Sequence, residues 1–449
     1  MTNWITSALR LLKRETPQTG WLWDERRLAY YANDARYDNT IYETIANGGQ
    51  RDNINAGLGN GAAADIAGMY NPVRRVVDLY GHTLSGEFGT DILIEASNPK
   101  LKPALDQIWR WTNMQMFAQD VTQMGPLHGN CGLRIVARNH EDLAQRRVYL
   151  KAEHPSVITD IELDDRGNVE QVLLEYDVQH GELGEKREVL TIRELLTKAQ
   201  IQTWRVQNGG ITPYCLTTMT DNGPDSTYPN ELGVVPYVLL SHSQRGEPWS
   251  VNAFNHETPA IDRYNALMVH VNIQVHQHVR VVWMLAASGA APTRVDLSGL
   301  SMVYVNTTKD GPPPVMQPMV APLSIAEATA QARAILENVE DGLPELKATG
   351  GKFLSNQSGE TISQLRQPAE DKLRIARANY EDALVRAQQI ALSWGVVLGL
   401  WDLGTGTGTA DAANRAYTSG AEDHRFNRRP YLPESQPANQ PAAPAMIAA

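Results

Sequence analysis

Cysteine is nearly absent from this chain. Cys131 and Cys215 are the only two among 449 residues. They stand far apart, so they make neither a disulfide framework nor a zinc-type spacing, and a reducing compartment is expected. Long hydrophobic runs are missing as well. No stretch of eighteen apolar residues occurs and no signal-type apolar segment lies near the N-terminus, so a membrane or secretion ring is not expected. Positive charge is also in short supply. Lys and Arg number 40 against 51 Asp and Glu, a formal net charge of −11. That argues against a simple nucleic-acid binder, which carries a basic excess.

Catalytic signatures fail one by one. Gly350-Gly-Lys352 has the end of a phosphate-binding loop, but Leu346 replaces the first glycine and Phe353 the Ser/Thr. His256-Glu257 has no second histidine at the required spacing, and His270, His276 and His278 contain no i,i+4 pair, so no metal site is expected on that segment. The glycines of Gly404–Thr409 follow a helix rather than a strand and lack the dinucleotide-binding context. No G-x-S-x-G is present. The expectation is a protein that is not an enzyme and holds no cofactor and no metal.

What is present is a soluble-type composition, 42% apolar and 20% charged, long enough for about two to four domains. Its most informative stretch runs from Thr258 to Trp394. Thr258 caps a helix and Pro259 fits its first position. Ile261, Tyr264, Met268, Val271, Val275, Val282 and Leu285 then recur at spacings of three and four, with His278 in the gap, which predicts a helix to about residue 285. Leu267, Val269, Ile273, Val279 and Val281 make a second apolar face, so this helix needs partners on two sides. At about thirty residues it would span ~45 Å. A second helix opens at the capping box Ser324-x-x-Glu327 and stops at Asp341-Gly342. A polar loop, Pro344–Gln357, follows. Ser358 then caps a long helix to about Leu398 in which Pro368 should produce a kink.

N-terminal to this stretch the pattern is mixed. Helices are expected at Trp4–Leu12, Asp24–Ala46, Tyr70–Leu84 and Leu101–Met124, strands at Ile92–Ala96 and Gly132–Arg138, and a loop at residues 47–60. Val157–Leu163, the turn Asp164–Asn168 and Val169–Val178 read as a hairpin. Arg187–Ile192 and Ile201–Val206 extend the sheet, and Val234–Ser241 is a buried strand leading into the first long helix. After Gly399 the pattern is lost, and Arg429–Ala449 has the composition of a disordered tail.

This order of elements, with particular phrases along it, resembles the portal proteins of tailed bacteriophages, close to those of long-tailed siphophages. The phrases are Tyr70-Asn-Pro-Val-Arg-Arg-Val-Val-Asp-Leu79, Gly125-Pro-Leu-His-Gly-Asn-Cys-Gly-Leu-Arg-Ile-Val136, Glu231-Leu-Gly-Val-Val-Pro-Tyr-Val238 and Leu354-Ser-Asn-Gln-Ser-Gly-Glu-Thr-Ile-Ser-Gln-Leu365. The likeness covers roughly Asp24 to Trp401. It implies an α+β portal fold: an α/β wing (residues 1–250), a stem helix (251–285), a small α/β clip (286–321) with a strand at Ser301–Asn306, a second stem helix (322–341), a tunnel loop (342–358), a kinked tunnel helix (359–400), and a short helical or disordered crown and tail (401–449).

The resemblance further implies a homo-oligomeric ring, usually twelve-fold, at one capsid vertex of the virion, assembled in the bacterial host cytoplasm. Double-stranded DNA passes through it during packaging and ejection. Its other partners would be the large terminase, then a head-completion or adaptor protein, with the major capsid protein and scaffold around it; no membrane is involved. Ile261, Tyr264, Met268, Val271, Val275 and Val282 would form the inter-subunit stem. Lys347, Lys352, Ser355, Asn356 and Gln357 would face DNA from the tunnel loop. A conduit suits an acidic chain, because a cationic lining would hold the phosphates it must let pass. The alternative is a capsid-associated enzyme, a nuclease or protease on a helical scaffold, which requires a carboxylate or nucleophile constellation in a cleft.

Overall fold

Alternation builds most of the sheet structure. In Glu188–Thr197, Leu190, Ile192, Glu194 and Leu196 share one buried face while their neighbours reach outward, the period of a half-buried strand. The computed structural model describes residues 23–40, 70–85, 94–96, 101–180, 188–207, 210–216, 220–221, 226–243, 248–279, 282–287, 302–306, 315–319, 325–349, 359–401 and 424–426. The segments 4–12, 47–60, 312–314, 404–409 and 429–449 lie outside them. The fold is mixed α+β, and among the described residues its strands pair antiparallel except for one parallel pair. The chain divides into two units, one of Arg14–Tyr37, Pro72–Asn255 and Leu343–Ala449, the other of Met1–Lys13, Asp38–Asn71 and His256–Gly342.

In the larger unit the described helices are α1 (Trp23–Tyr37), α2 (Val73–Ser85), α3 (Leu101–Thr112) and α4 (Met114–His128). The sequence predicts a single helix across α3 and α4. It is broken at Asn113, whose φ of 51° and ψ of 63° are left-handed, a conformation that asparagine tolerates better than most residues. After β1 (Ile94–Ala96), paired with β15 (His424–Phe426), come β2 (Asn130–Arg138) and β3 (Arg147–Glu153). With β11 (Tyr237–Ser241) these last two form an antiparallel sheet in the order β11-β2-β3.

A second, meandering sheet runs β4 (Ile158–Leu163), β5 (Val169–His180), β6 (Glu188–Thr197), β7 (Gln200–Gln207), β8 (Gly210–Cys215) and β9 (Thr220–Asp221), with β10 (Thr227–Pro229) also on β7. The predicted β4–β5 hairpin is present. Asp164 Oδ1 accepts from the backbone N–H groups of Arg166 (2.8 Å) and Asn168 (2.7 Å). Gly167 supplies the left-handed φ of 77° that closes the turn. Ile158, Val172, Leu174, Leu196, Tyr237 and Trp249 are among the core residues packed at one face of this sheet.

The helix α8 (Gly359–Val397) lies on the β11-β2-β3 sheet. Ala369, Leu373, Ala376, Tyr380, Ala383, Ala387 and Ile390 are all buried. Their spacing alternates strictly between four and three, so one stripe faces the sheet and its alanines allow close approach. Pro368 stands inside this continuous helix. The short helix α7 (Pro344–Thr349) packs between α2 and α8. This corrects the expectation of a polar loop there. Leu343, Pro344, Glu345 and Leu346 are buried, because Pro344 is compatible with a first helical turn and two leucines supply apolar anchors.

In the smaller unit, α5 (Thr258–Val279) packs against α6 (Ile325–Gly342). Between them in sequence come β12 (Val282–Ala287), β13 (Met302–Asn306) and β14 (Val315–Met319), with β12 central, parallel to β13 and antiparallel to β14. The first helix therefore stops at Val279, with 22 residues, and not near residue 285. Val282 and Leu285 belong to β12. Their spacing fits the helical period, but they sit in the unbroken apolar run Val281-Val-Trp-Met-Leu285, which suits a strand paired on both edges.

Candidate functional site

Of the predicted DNA-facing set, Lys347 is exposed on α7. Lys352, Ser355, Asn356 and Gln357 lie outside the described residues. Of the stem set, Ile261 and Val271 are buried and Tyr264 and Met268 half-buried on α5. Val275 falls on the same helix. Val282 does not; it pairs with Met319 across β12 and β14. Tyr264 meets Tyr70 edge-on at 5.6 Å, and Asn265 Nδ2 donates to the Tyr70 carbonyl at 2.9 Å.

The start of the predicted tunnel loop is fastened by a buried polar cluster that the sequence did not reveal. Glu345 is fully buried. It accepts from the Tyr80 hydroxyl at 2.8 Å and pairs with Lys372 Nζ at 3.3 Å. Tyr80 stacks edge-on against His242 at 4.9 Å, and His242 Nδ1 is 3.2 Å from the Tyr380 hydroxyl. Burial, reinforced by the Lys372 charge, lowers His242 to about 3. Burial and then the Glu345 charge push the Tyr80 phenol well up. The cluster is therefore a neutral imidazole, two neutral phenols and one ion pair. It joins α2, the residue after β11, α7 and α8.

A second buried group joins the two sheets. Arg134 on β2 donates through Nη2 to Glu194 on β6 at 2.7 Å, and its Nη1 is 3.6 Å from Glu153 on β3. Tyr176 on β5 donates to the other oxygen of Glu194 at 3.1 Å. The carboxylates have a fixed cation and a phenol as partners, which is the arrangement of a structural bolt and not of a general base.

The third group unites residues from distant parts of the sequence. Asp34 lies on α1, His128 ends α4, and His154 caps the turn after β3. His128 Nε2 is 3.1 Å from Asp34 Oδ1. His154 Nε2 is 2.9 Å from His128 Nε2 and 3.4 Å from Asp34 Oδ2. His128 is almost wholly enclosed, whereas the Asp34 side chain is 39% and that of His154 26% exposed. Burial would raise Asp34, but contacts with His128 and His154 outweigh it and hold the carboxyl well below its usual range. No spacing rule finds this trio, because its members come together only through the packing of α1, α4 and the β3–β4 connection.

A polar cleft of about 510 Å³ opens between the β4–β5 turn, β11 and α8. Its lining includes Asp164, Asp165, Arg166, Asn379, Asp382 and Arg386, and no histidine or cysteine among the described residues. Arg386 is tied to Asp382 at 2.9 Å and donates to the Gly167 carbonyl at 3.3 Å. Among the described residues no helix is long and apolar enough to cross a membrane. No protein-family model matches this chain, and no curated protein matches it either.

Proposed function

We propose that this chain is a portal subunit of a tailed bacteriophage, a structural conduit for double-stranded DNA without catalysis of its own. The observation that carries the reading is the order of elements from α5 to α8. A helix, three strands of one small sheet and a second helix packed on the first are followed by a short helix and a 39-residue helix containing Pro368. That order agrees with stem, clip, stem, tunnel segment and tunnel helix. The shorter α5, 22 residues against 18 in α6, makes the two stem helices nearly equal, and residues from Val282 onward pass to the clip.

On this reading the subunits form a ring, dodecameric in the virion. The large terminase supplies the energy of packaging and docks at the clip, and the adaptor takes its place there afterwards. The net charge of −11 suits a channel whose contacts with phosphate must be few and weak. The test is negative-stain imaging together with light scattering on the purified chain. The expected result is a ring with a central hole and a mass of roughly twelve times 49.7 kDa, with twelve being the number usual in such rings. A monodisperse monomer at every concentration and salt condition would overturn the proposal.

A further inference from the structure

We propose that Asp34, His128 and His154 form a binding site for one divalent transition-metal ion of the zinc class. Three potential ligand atoms converge on one point from three separate elements, 2.9, 3.1 and 3.4 Å apart. A tetrahedral ion with bonds of about 2.0–2.1 Å places its ligand atoms about 3.3 Å from one another. Two imidazole nitrogens and a carboxylate oxygen are the donor set such an ion prefers.

Hydrogen bonding alone does not satisfy this geometry. If His128 Nε2 carries a proton for Asp34 and His154 Nε2 does likewise, two N–H donors face each other at 2.9 Å. If His154 instead donates to His128, the bare His128 nitrogen faces the Asp34 oxygen at 3.1 Å, acceptor against acceptor; if His128 donates to both partners, the bare His154 nitrogen faces the other Asp34 oxygen at 3.4 Å. Each arrangement keeps one repulsive contact at a site where His128 is only 1% exposed. A cation removes each conflict, because all three groups then present lone pairs.

The surroundings of His154 bear on the same assignment, whereas buried His128 Nδ1 has no hydrogen-bond partner among the described residues. Without an ion, His154 Nδ1 accepts from the Ser156 backbone N–H at 3.2 Å and lies 2.7 Å from Ser156 Oγ; an ion on Nε2 moves the ring proton to Nδ1, which gives up the backbone contact and donates to Ser156 Oγ instead. That fixes the ring as an outer partner fixes a metal-ligating histidine. The Tyr30 ring packs edge-on against both imidazoles, at 5.5 Å from His128 and 6.1 Å from His154. The exposed side of Asp34 and His154 gives an entry path and leaves the fourth position to water. The ion would clip α1 to the end of α4 and to the β3–β4 connection. This inference does not rest on the portal reading.

The experiment uses the full chain, stripped with chelator and then titrated with Zn(II) by calorimetry and with Co(II) by visible absorption. Expected are one equivalent per chain, the intense d–d bands of four-coordinate Co(II), and a melting temperature several degrees higher with Zn(II). Asp34→Asn and His154→Gln should each lose this binding by at least tenfold while keeping the far-UV spectrum of the metal-free parent. The chain has 11 histidines, so binding that survives both variants with unchanged stoichiometry and affinity lies elsewhere and overturns the proposal. Failure of the stripped parent chain to take up either ion overturns it regardless of how the variants fold.

Discussion

Lowering the pH from about 7.5 to about 5 should weaken the larger unit in part through His242, and the size of that part follows from its setting. His242 follows β11 and is 6% exposed. It faces Tyr80 edge-on, the Tyr380 hydroxyl, and the charge of Lys372, which is itself paired with Glu345. Burial first, and Lys372 second, lower it to about 3 from the ordinary 6.5. Above pH 6.5 it is neutral in both folded and unfolded chains and contributes no pH dependence. Between 6.5 and about 3 the unfolded chain binds a proton that the folded chain refuses. Stability then falls with decreasing pH by about 1.4 kcal/mol per unit. From pH 6.5 to about 5 the loss is about 2 kcal/mol, a large part of an ordinary domain's stability. The assay is urea unfolding across this range for the parent and for His242→Gln, which keeps an acceptor for Tyr380 but does not titrate. The slopes should diverge below about pH 6.5 and coincide above it. Parallel curves throughout would show that His242 is not held neutral in the fold, and the buried cluster as described would be wrong.

Gly125→Ala should destabilise by about 1–3 kcal/mol, because its Cβ would overlap the Tyr380 hydroxyl and lie 2.6 Å from Cζ of that ring; Tyr380→Phe should relieve part of the cost in a double-mutant cycle read by urea midpoints. Arg134→Met should cost about 3–5 kcal/mol, since Glu194, 0% exposed, is left without its cation; adding Glu194→Met should recover much of the loss in thermal melts. Under the portal reading, Val271→Asp, at a position 8% exposed on α5, should abolish ring formation in sedimentation, because each copy would bury an unpaired charge; normal rings would count against the stem assignment.

Elements whose signal is local were legible in the sequence. The β4–β5 hairpin was readable because Asp164, Gly167 and Asn168 are fixed by turn geometry. The start of α6 was readable from a capping box, and α8 from a stripe whose period survives Pro368. Errors occurred where tertiary pairing decides. Val282 and Leu285 satisfy a helical period but are claimed by β13 and β14. Nothing short-range marks Asn113 as the break between α3 and α4, and the polar run after Pro344 conceals a helix anchored by Leu343 and Leu346. The three polar clusters were not legible at all, because each draws its members from three or more elements and sequence spacing carries no trace of that.

Those clusters share a physical logic. Each is placed where elements remote in sequence must hold one arrangement, and each exchanges hydration for charge-assisted bonds that tolerate little displacement. Apolar packing through Leu343 and Leu346 is non-directional and alone would leave α7 free to shift between α2 and α8. Glu345, held by Tyr80 from α2 and by Lys372 from α8, removes that freedom. The segment that begins at Leu343 therefore has a fixed root, buried through Leu346, and turns outward at Lys347. Under the portal reading, a tunnel segment needs this division, because a loop that follows an advancing duplex can do so only if its base does not move with it.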